Sequence, residues 1–382
     1  MRPGPLPSLP TGVLMSLARA GRPGLAMGAR LDGLRSAGLA GGIRRWRASG
    51  DVEGRLERIH SQSYRRLWDH AVAAVGAELE DLGEGFLLLR RGRAETVVWR
   101  HLVMLDHPST TSLALNKAVM HRLLVRGGLP VPEHLELHQG DRRPALAFLA
   151  RRRGPCVVKP AGGTGGGAGV TCGVERADEL WRAWLAAGRW GDRILVERRV
   201  PGEEYRLLLL DGELLDAVRR RPPCVRGDGR ATVAQLIDGE NRRRLEAGAR
   251  DVARLIKVDL DCELALRSSG MSLGSVVPAG RVLAVKGAVS QNGLADNTTL
   301  RDLSPELVGQ AVRAAGLAHL RLAGIDLVTP DPTTSITRAG GAILEVNGTP
   351  GLHYHYQVAE PDGATPVAVA ILERLLAAGH SG

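Results

Sequence analysis

The sequence predicts an α+β protein, on three observations. Several stretches place apolar residues every three or four positions, as amphipathic helices do. Several short apolar runs end in an acidic residue, as strands reaching a polar site do. One of those runs opens into a glycine-rich loop. At 382 residues and 44% hydrophobic content, the chain is long enough for two or three domains with buried cores.

Residues 1–50 are rich in Gly, Pro, Ala and Arg and lack sustained periodicity, so a basic, flexible tail is expected. The alternative there is short helices around Leu14–Ala20 and Leu31–Leu39. From Val52 to Ala77, the residues Leu56, Ile59, Tyr64, Leu67, Trp68, Val72 and Val75 mark a helix. Phe86–Leu89 and Thr96–Trp99 read as strands around Arg91-Gly92, giving a small α/β lead domain over residues 51–108.

The remaining pattern, residues 109–378, is richer. Ser112–Arg126 reads as a helix stopped by Gly127-Gly128, and Leu129–Pro132 as an extended link. Pro155–Lys159 is a short buried strand and Ala177–Ala187 a helix. Ile194–Glu197, Glu204–Leu210 and Glu213–Arg220 are strands, the last two joined by the hairpin signal Asp211-Gly212. Ala231–Ala247 is a helix. Ser304-Pro305 caps another, with Val308, Ala311, Val312, Ala315, Ala318 and Leu322 on its buried face. Gly324–Val328 and Gly341–Val346 are strands flanking the loop Thr329–Gly340, and Pro366–Ala378 is a final helix.

The net charge of +10 is unevenly placed. Eight arginines against the single acid Asp32 give +7 within residues 1–50, which leaves +3 for the rest. A basic nucleic-acid- or partner-binding protein is therefore a competing reading for the tail. With aromatics at 3% there is little surface on which bases would stack, so nucleic acid is not expected as a partner. Cys156, Cys172, Cys224 and Cys262 form no CxxC pair, which argues against a zinc site or disulfide framework. No apolar run approaches bilayer length, and no secretory signal is evident. A cytoplasmic protein is expected.

Only Lys117, Lys159, Lys257 and Lys286 survive as lysines in this arginine-rich chain. Lysine offers a compact, flexible charge that arginine does not, so each deserves a reason. Lys159 ends a strand just before Gly162–Gly169, in which only Thr164 and Ala168 are not glycine. A loop without Cβ atoms can turn several N–H groups onto one phosphate. The bland alternative is a flexible hinge. Ile194–Glu197 followed by Glu204, and Asp326 followed by Glu345 and Asn347, are acids at or near strand ends. Buried carboxylates are costly unless paired or metal-bound, and two carboxylates with an amide oxygen suit Mg²⁺ carrying nucleotide phosphates. The bland alternative there is a solvated strand end.

In this order and spacing, the strings resemble the ATP-grasp superfamily. They resemble in particular the ATP-grasp portion of cyanophycin synthetase, with related patterns in bifunctional glutathione synthetases and ribosomal-protein glutamate ligases. The likeness rests on Glu204-Tyr205-Arg206, on Arg226–Val233 followed by Glu240-Asn241, and on Glu345-Val346-Asn347 through Pro350-Gly351-Leu352 to His355. It departs in lacking, by Gly382, the Mur-ligase-like ATPase of cyanophycin synthetase.

The resemblance implies two α/β subdomains gripping ATP, with a mobile glycine-rich subdomain over about residues 130–205. It implies phosphate contacts from Lys117 and Lys159. A closing loop would carry Gly162, Gly163, Gly165, Gly166, Gly167 and Gly169. Adenine would be read at Glu197, Arg198 and Val200, and ribose at Glu204. Mg²⁺, or Mn²⁺ in its place, would sit on Asp326, Glu345 and Asn347. Arg206, Arg220 and His355 are candidates for catalytic contact with substrate, against the alternative that arginines are merely abundant here. Asn116, where the family often has Asp, is a departure. The implied reaction joins a carboxylate and an amine, amino acids or peptides, through an acyl phosphate. A phosphotransferase or thioester-forming ligase is the alternative within the superfamily, and a homo-oligomer is compatible with either.

Overall fold

The computed structural model describes residues 39–151, 154–248 and 254–378. The chain divides into two units, Met1–Arg55 and Leu56–Gly382. The helices of the alternative reading, Leu14–Ala20 and Leu31–Leu39, fall outside the described residues, apart from Leu39 itself. In the first unit the description begins with helix α1 (Leu39–Val75), so the helix expected from Val52 starts earlier, inside the segment read as tail.

The second unit continues α1 and then pairs β1 (Glu78–Gly83), β2 (Phe86–Arg91) and β3 (Ala94–Trp99) in an antiparallel sheet. Next come α2 (Pro108–Ala114) and α3 (Lys117–Arg126), where the sequence reads as one helix. The break is built by Asn116. Its backbone leaves helical geometry, and its side chain accepts from the Val119 N–H at 3.1 Å, capping α3. Lys117 N–H donates to Ala161 O at 3.1 Å, which pins that break to the glycine-rich loop.

A four-stranded antiparallel sheet follows, in the order β4 (His134–His138), β7 (Arg193–Arg198), β5 (Cys156–Pro160), β6 (Thr171–Val174). Between its strands in sequence lie α4 (Arg142–Ala150) and α5 (Ala177–Gly188). Phe148, Leu180, Trp184, Val158, Ile194 and Val196 form their common core. The sequence reading missed β4, which has only Leu135 and Leu137 as apolar residues, and α4, whose apolar residues run consecutively from Ala145 to Ala150 without a helical period.

The largest sheet contains β8 (Glu203–Leu210) and β9 (Glu213–Arg220), joined by the expected Asp211-Gly212 turn. Asp211 and Gly212 both have positive φ, which is the tight hairpin geometry the pair favours. After β10 (Cys224–Arg226), α6 (Val233–Ala247) and α7 (Leu260–Ser268) come β11 (Val282–Ala284) and β12 (Asn297–Thr299). Helix α8 (Pro305–Leu317) has Ser304 as its N-cap, as expected. It stops before Leu322, which instead begins β13 (Leu322–Thr329). Strand β14 (Ala342–Asn347) and helix α9 (Val367–Ala378) are the last strand and helix of the described residues. The sheet order is β12-β9-β8-β13-β14, antiparallel throughout.

Strand alternation divides this sheet into two faces. Tyr205, Leu207, Leu209, Ala217, Ala323, Ile325, Leu327 and Ile343 pack with α8, α2 and α3 in one core. On the other face, Leu208, Leu210 and Leu322 join Tyr64, Trp68 and α9 in a second core. The polar residues of interest occupy the rest of that second face. Among the described residues, no helix is long and apolar enough to cross a membrane.

Ile325, fully buried in the first core, tests this layering. Ile325→Ala is expected to cost about 2–5 kcal/mol, read as a lower urea midpoint. An unchanged midpoint would contradict the packing.

Candidate active site

Register brings the acids together. Asp326 lies directly opposite Glu345 across β13 and β14, and opposite Arg206 across β13 and β8. Directly opposed residues share a face, so these three side chains point the same way. Asn347 pairs with Gly324, two residues before Asp326, and so joins them. Glu204 opposes Arg220 across β8 and β9.

Each acid there carries a cation. Arg206 grips Asp326 with two N–H groups, Nη2 at 2.6 Å from Oδ2 and Nε against Oδ1. Arg220 Nη1 stands 3.5 Å from Asp326 Oδ1 and 3.4 Å from Glu204 Oε1. Asn347 Nδ2 donates to Asp326 Oδ2 at 3.3 Å and to Gly324 O at 3.2 Å. Lys117 Nζ lies 2.8 Å from Glu345 Oε1. The guanidinium partners keep the Asp326 carboxyl below its usual range against the opposing effect of burial. Burial raises the Glu204 carboxyl to about 7, with Arg220 pulling it down.

The smaller sheet supplies the other lysine. Lys159 Nζ is 2.8 Å from Glu197 Oε1, both side chains being buried. The two lysine pairs meet through α3. His121, one turn beyond Lys117, lies with Nδ1 3.8 Å from Glu197 Oε1 and Nε2 3.2 Å from Leu344 O, beside Glu345. Lys159, Glu197, Glu345 and Asn347 are thus parts of one neighbourhood.

Between Lys159 and β6 runs the glycine loop. Gly163, Gly166, Gly167 and Gly169 have positive φ, which demands glycine there. A Cβ on Gly166 would overlap the Arg254 guanidinium, and one on Gly167 the Ser290 side chain. Gly162 forms a bridge with Asn116, bringing the loop to the start of α3. Gly165 has no such close neighbour.

Two of the expected residues, Arg198 and His355, have side-chain partners elsewhere. Arg198 turns its guanidinium away from Glu197, onto Phe148 O and, at 3.1 Å, Gly154 O, so a nucleotide contact from this residue would come from its main chain. Val200 lies in the short link between β7 and β8. His355 is fully buried, its Nδ1 2.7 Å from Asp216 Oδ2, while Thr365 Oγ1 donates to the other Asp216 oxygen at 2.6 Å. Its Nε2 is buried without a partner.

Sequence reasoning missed Asp216, Tyr354 and His121. Tyr354 lies 4.4 Å from the Arg220 guanidinium and 5.4 Å from that of Arg206. Asp216 sits inside the expected strand Glu213–Arg220, and its spacing from His355 carries no signal. Asp296, with Cys224 and Ala295, lines two adjoining cavities of about 280 and 270 Å³.

The donor chemistry of Asp326, Glu345 and Asn347 fits a hard divalent cation: two carboxylates and an amide on one face, the acids already holding positive side chains. No cluster of three or more His, Cys, Asp or Glu with metal-binding geometry occurs among the described residues, consistent with a site that needs the Asn oxygen or a ligand's own oxygens. The four cysteines are free thiols.

Two α/β lobes, one bearing Lys159 and a glycine loop and the other the acidic strand pair, with α3 between them, make the ATP-grasp fold. The chain has the ATP-grasp fold. It is 32% identical over 275 residues to cyanophycin synthetase of Nostoc sp., covering 71% of this chain and 30% of that one. It is 27% identical over 296 residues to the glutathione biosynthesis bifunctional protein GshAB of Enterococcus faecalis, covering 76% and 39%. The crystal structure of a bifunctional glutathione synthetase from Pasteurella multocida superposes with a TM-score of 0.54 at 23% identity, covering 83% of this chain and 43% of that one. The chain therefore spans less than half the length of these relatives. No family model matches it.

The buried histidines generate a pH prediction. Burial holds His60, His101 and His121 down to about 4, whereas unfolded imidazoles titrate near 6.5. Below 6.5 the unfolded chain gains protons that the fold refuses, so stability is present above that pH and is lost as pH falls toward 4. The melting temperature is expected to be flat from pH 7 to 8 and to fall between 6.5 and 4. A flat profile down to 4 would contradict these burials.

Proposed function

We propose that the protein is an ATP-dependent carboxylate–amine ligase working through an acyl phosphate. The observation that carries this reading is the convergence of Lys117, Lys159 and the Asp326–Glu345–Asn347 face around α3. Its likeness to cyanophycin synthetase and to GshAB supports the reading.

A carboxylate resists amide formation in water because hydroxide-like oxygen is a poor leaving group. Transfer of the ATP γ-phosphoryl group to it gives an acyl phosphate and ADP; an amine then attacks the acyl carbon, and phosphate leaves. The residues' task is positioning and charge neutralisation. Lys117 and Lys159, now on Glu345 and Glu197, are long enough to turn to phosphate oxygens. N–H groups of the glycine loop add donors, and closure of that loop shields the acyl phosphate from water. Glu204 takes the ribose hydroxyls, and the Glu197–Val200 strand end takes adenine. Arg206 and Arg220 face the reacting carboxylate across Tyr354. Magnesium, held by Asp326, Glu345 and Asn347, would supply charge screening between the phosphates. His355 is oriented by Asp216, with its free Nε2 as the atom available to accept a proton from the amine. The acid and amine are amino acids or short peptides.

The test is an ADP-release screen with pooled amino acids and peptides, followed by mass analysis. ADP and inorganic phosphate should appear only with both substrates, and hydroxylamine should trap a hydroxamate. Phosphate left on the acceptor would sink the ligase reading in favour of a phosphotransferase. Asp326→Asn, which strands Arg206 without its charge partner, should lower kcat/KM by at least about 100-fold, on the order of 3 kcal/mol. An active Asp326→Asn enzyme would remove the acid from the site.

A further inference from the structure

Arg242, Arg243 and Arg244 stand in a row on α6 and meet different surroundings. The first two are exposed, whereas Arg244 is only 2% exposed. A guanidinium that deep needs partners for its N–H groups and a charge beside it, or its burial is strongly unfavourable. Arg244 Nε donates to Glu240 Oε1 at 2.7 Å, which supplies the counter-charge. Its Nη1 donates to two main-chain carbonyls, Arg254 O at 2.6 Å and Gln291 O at 2.7 Å. Gly293 leaves the room, since a Cβ there would stand 3.0 Å from Nη2.

The two segments held this way are irregular, so their main-chain groups depend on side chains for partners. Asn241, also on α6, accepts from Ile256 N–H at 2.8 Å and donates from Nδ2 to Ile256 O at 3.0 Å. Gln291 Oε1 accepts from Lys257 N–H at 2.7 Å. The glycine loop rests on the same two segments. Gly166 lies against the Arg254 guanidinium and Gly167 against the Ser290 side chain, too close for either glycine to carry a Cβ. Gly163 and Gly165 have no such neighbour. This support is also tied to β6, the strand that follows the loop. Asp261 accepts from Cys172 N–H at 2.8 Å and from Gly287 and Ala288 N–H at 3.1 and 3.2 Å. Lys286 Nζ, buried 3.5 Å from Asp261 Oδ2, balances that carboxylate, which gives a third lysine its reason.

We propose that Arg244 is a positioning residue of the reaction: it locks Arg254 and Ser290 into a seat that holds the Gly166–Gly167 turn over the phosphates. This rests on the reading in which the glycine loop closes on ATP. A run of glycines samples many backbone conformations, and most of them do not aim its N–H groups at one point. The seat removes that freedom at the apex of the loop and leaves Gly163 and Gly165 open. Arg244 bonds to none of Lys117, Lys159, Asp326, Glu345 and Asn347, so it acts through the two segments it holds. Because Asp261 fastens the Gly287–Ala288 end of the seat to β6, loop and seat are carried by the same small sheet.

The experiment uses the full chain, isotope-labelled at the glycine nitrogens, as wild type, Arg244→Met, Arg244→Lys and Arg254→Ala. Amide order parameters at Gly166 and Gly167 are expected near about 0.85 in wild type and below about 0.6 in Arg244→Met, with Gly324 of β13 unchanged. Arg244→Lys keeps the charge and three donors and should restore most of that order. Arg254 is exposed, so Arg254→Ala should fold even if Arg244→Met does not, and it should loosen Gly166. In turnover, the ratio of ADP released to amide formed is expected to rise about tenfold in Arg244→Met, because an unseated loop admits water to the acyl phosphate. Unchanged order at Gly166 in either Arg244→Met or Arg254→Ala, or an equal loss at Gly324, would overturn the assignment. So would a fall in kcat with the ADP-to-amide ratio unchanged. Failure to release ADP with any acid overturns the ligase reading alone, since the order parameters are measured without substrate.

Discussion

Four carboxylates, Glu197, Glu204, Asp326 and Glu345, and four cations, Lys117, Lys159, Arg206 and Arg220, share the interior between the two larger sheets. Apart from Glu204 and Glu345, none is more than 7% exposed. Charges this deep are tolerable only in pairs, since each desolvated ion costs several kcal/mol and loss of one partner about 3–5 kcal/mol. The pairing therefore restricts how the sheets can be built. Strand β8 must present Arg206 opposite Asp326, and α3 must bring Lys117 to Glu345, or an isolated charge is buried. Such a balanced set also limits what can enter. A polyphosphate added to a neutral site needs its own compensating charge, and the same carboxylates that hold the basic side chains suit a divalent ion. The lysines so released have phosphate oxygens to turn to.

The arrangement depends on register more than on proximity in the chain. Asp326 and Glu345 are far apart in sequence but directly opposed in β13 and β14, and a bulge follows between Asp326 and Leu327. A slip of one residue would turn Asp326 into the core formed by Ile325 and Leu327 and bring those residues to the polar face. The apolar face thus fixes the register, and the register fixes the site. Burial of Leu207, Ile325 and Ile343 is consequently a condition of the chemistry on the opposite side of the same strands.

This explains what could be read without coordinates. Short apolar runs carrying Asp326, Glu345 and Lys159 announce strand and site together, because one alternation produces both. The Ser304 cap and the Asp211-Gly212 turn were legible because their signals are local. The partners of those charged residues were not. That Lys159 meets Glu197, that Arg198 turns to α4, and that Asp216 orients His355 are products of sheet order and strand parity, which spacing does not encode. The break at Asn116 was missed for a related reason. Ser112–Arg126 has acceptable helical periodicity throughout, and only the tertiary bond from Lys117 N–H to Ala161 O makes two helices preferable to one.

That break has a consequence for how the lobes communicate. Because α3 begins at Lys117, the lysine occupies the first turn of a helix whose start is tied to Ala161 and Gly162, at the head of the glycine loop. His121, one turn later, touches Glu197 in the small sheet and Leu344 in the large one. Ala118 packs with Ala161 and Leu195 on the same side. A single short helix therefore holds one lysine directly and positions the other through Glu197. A displacement of the small sheet relative to the large one would disturb these contacts, so α3 sets the spacing of the two lysines and ties it to the head of the glycine loop.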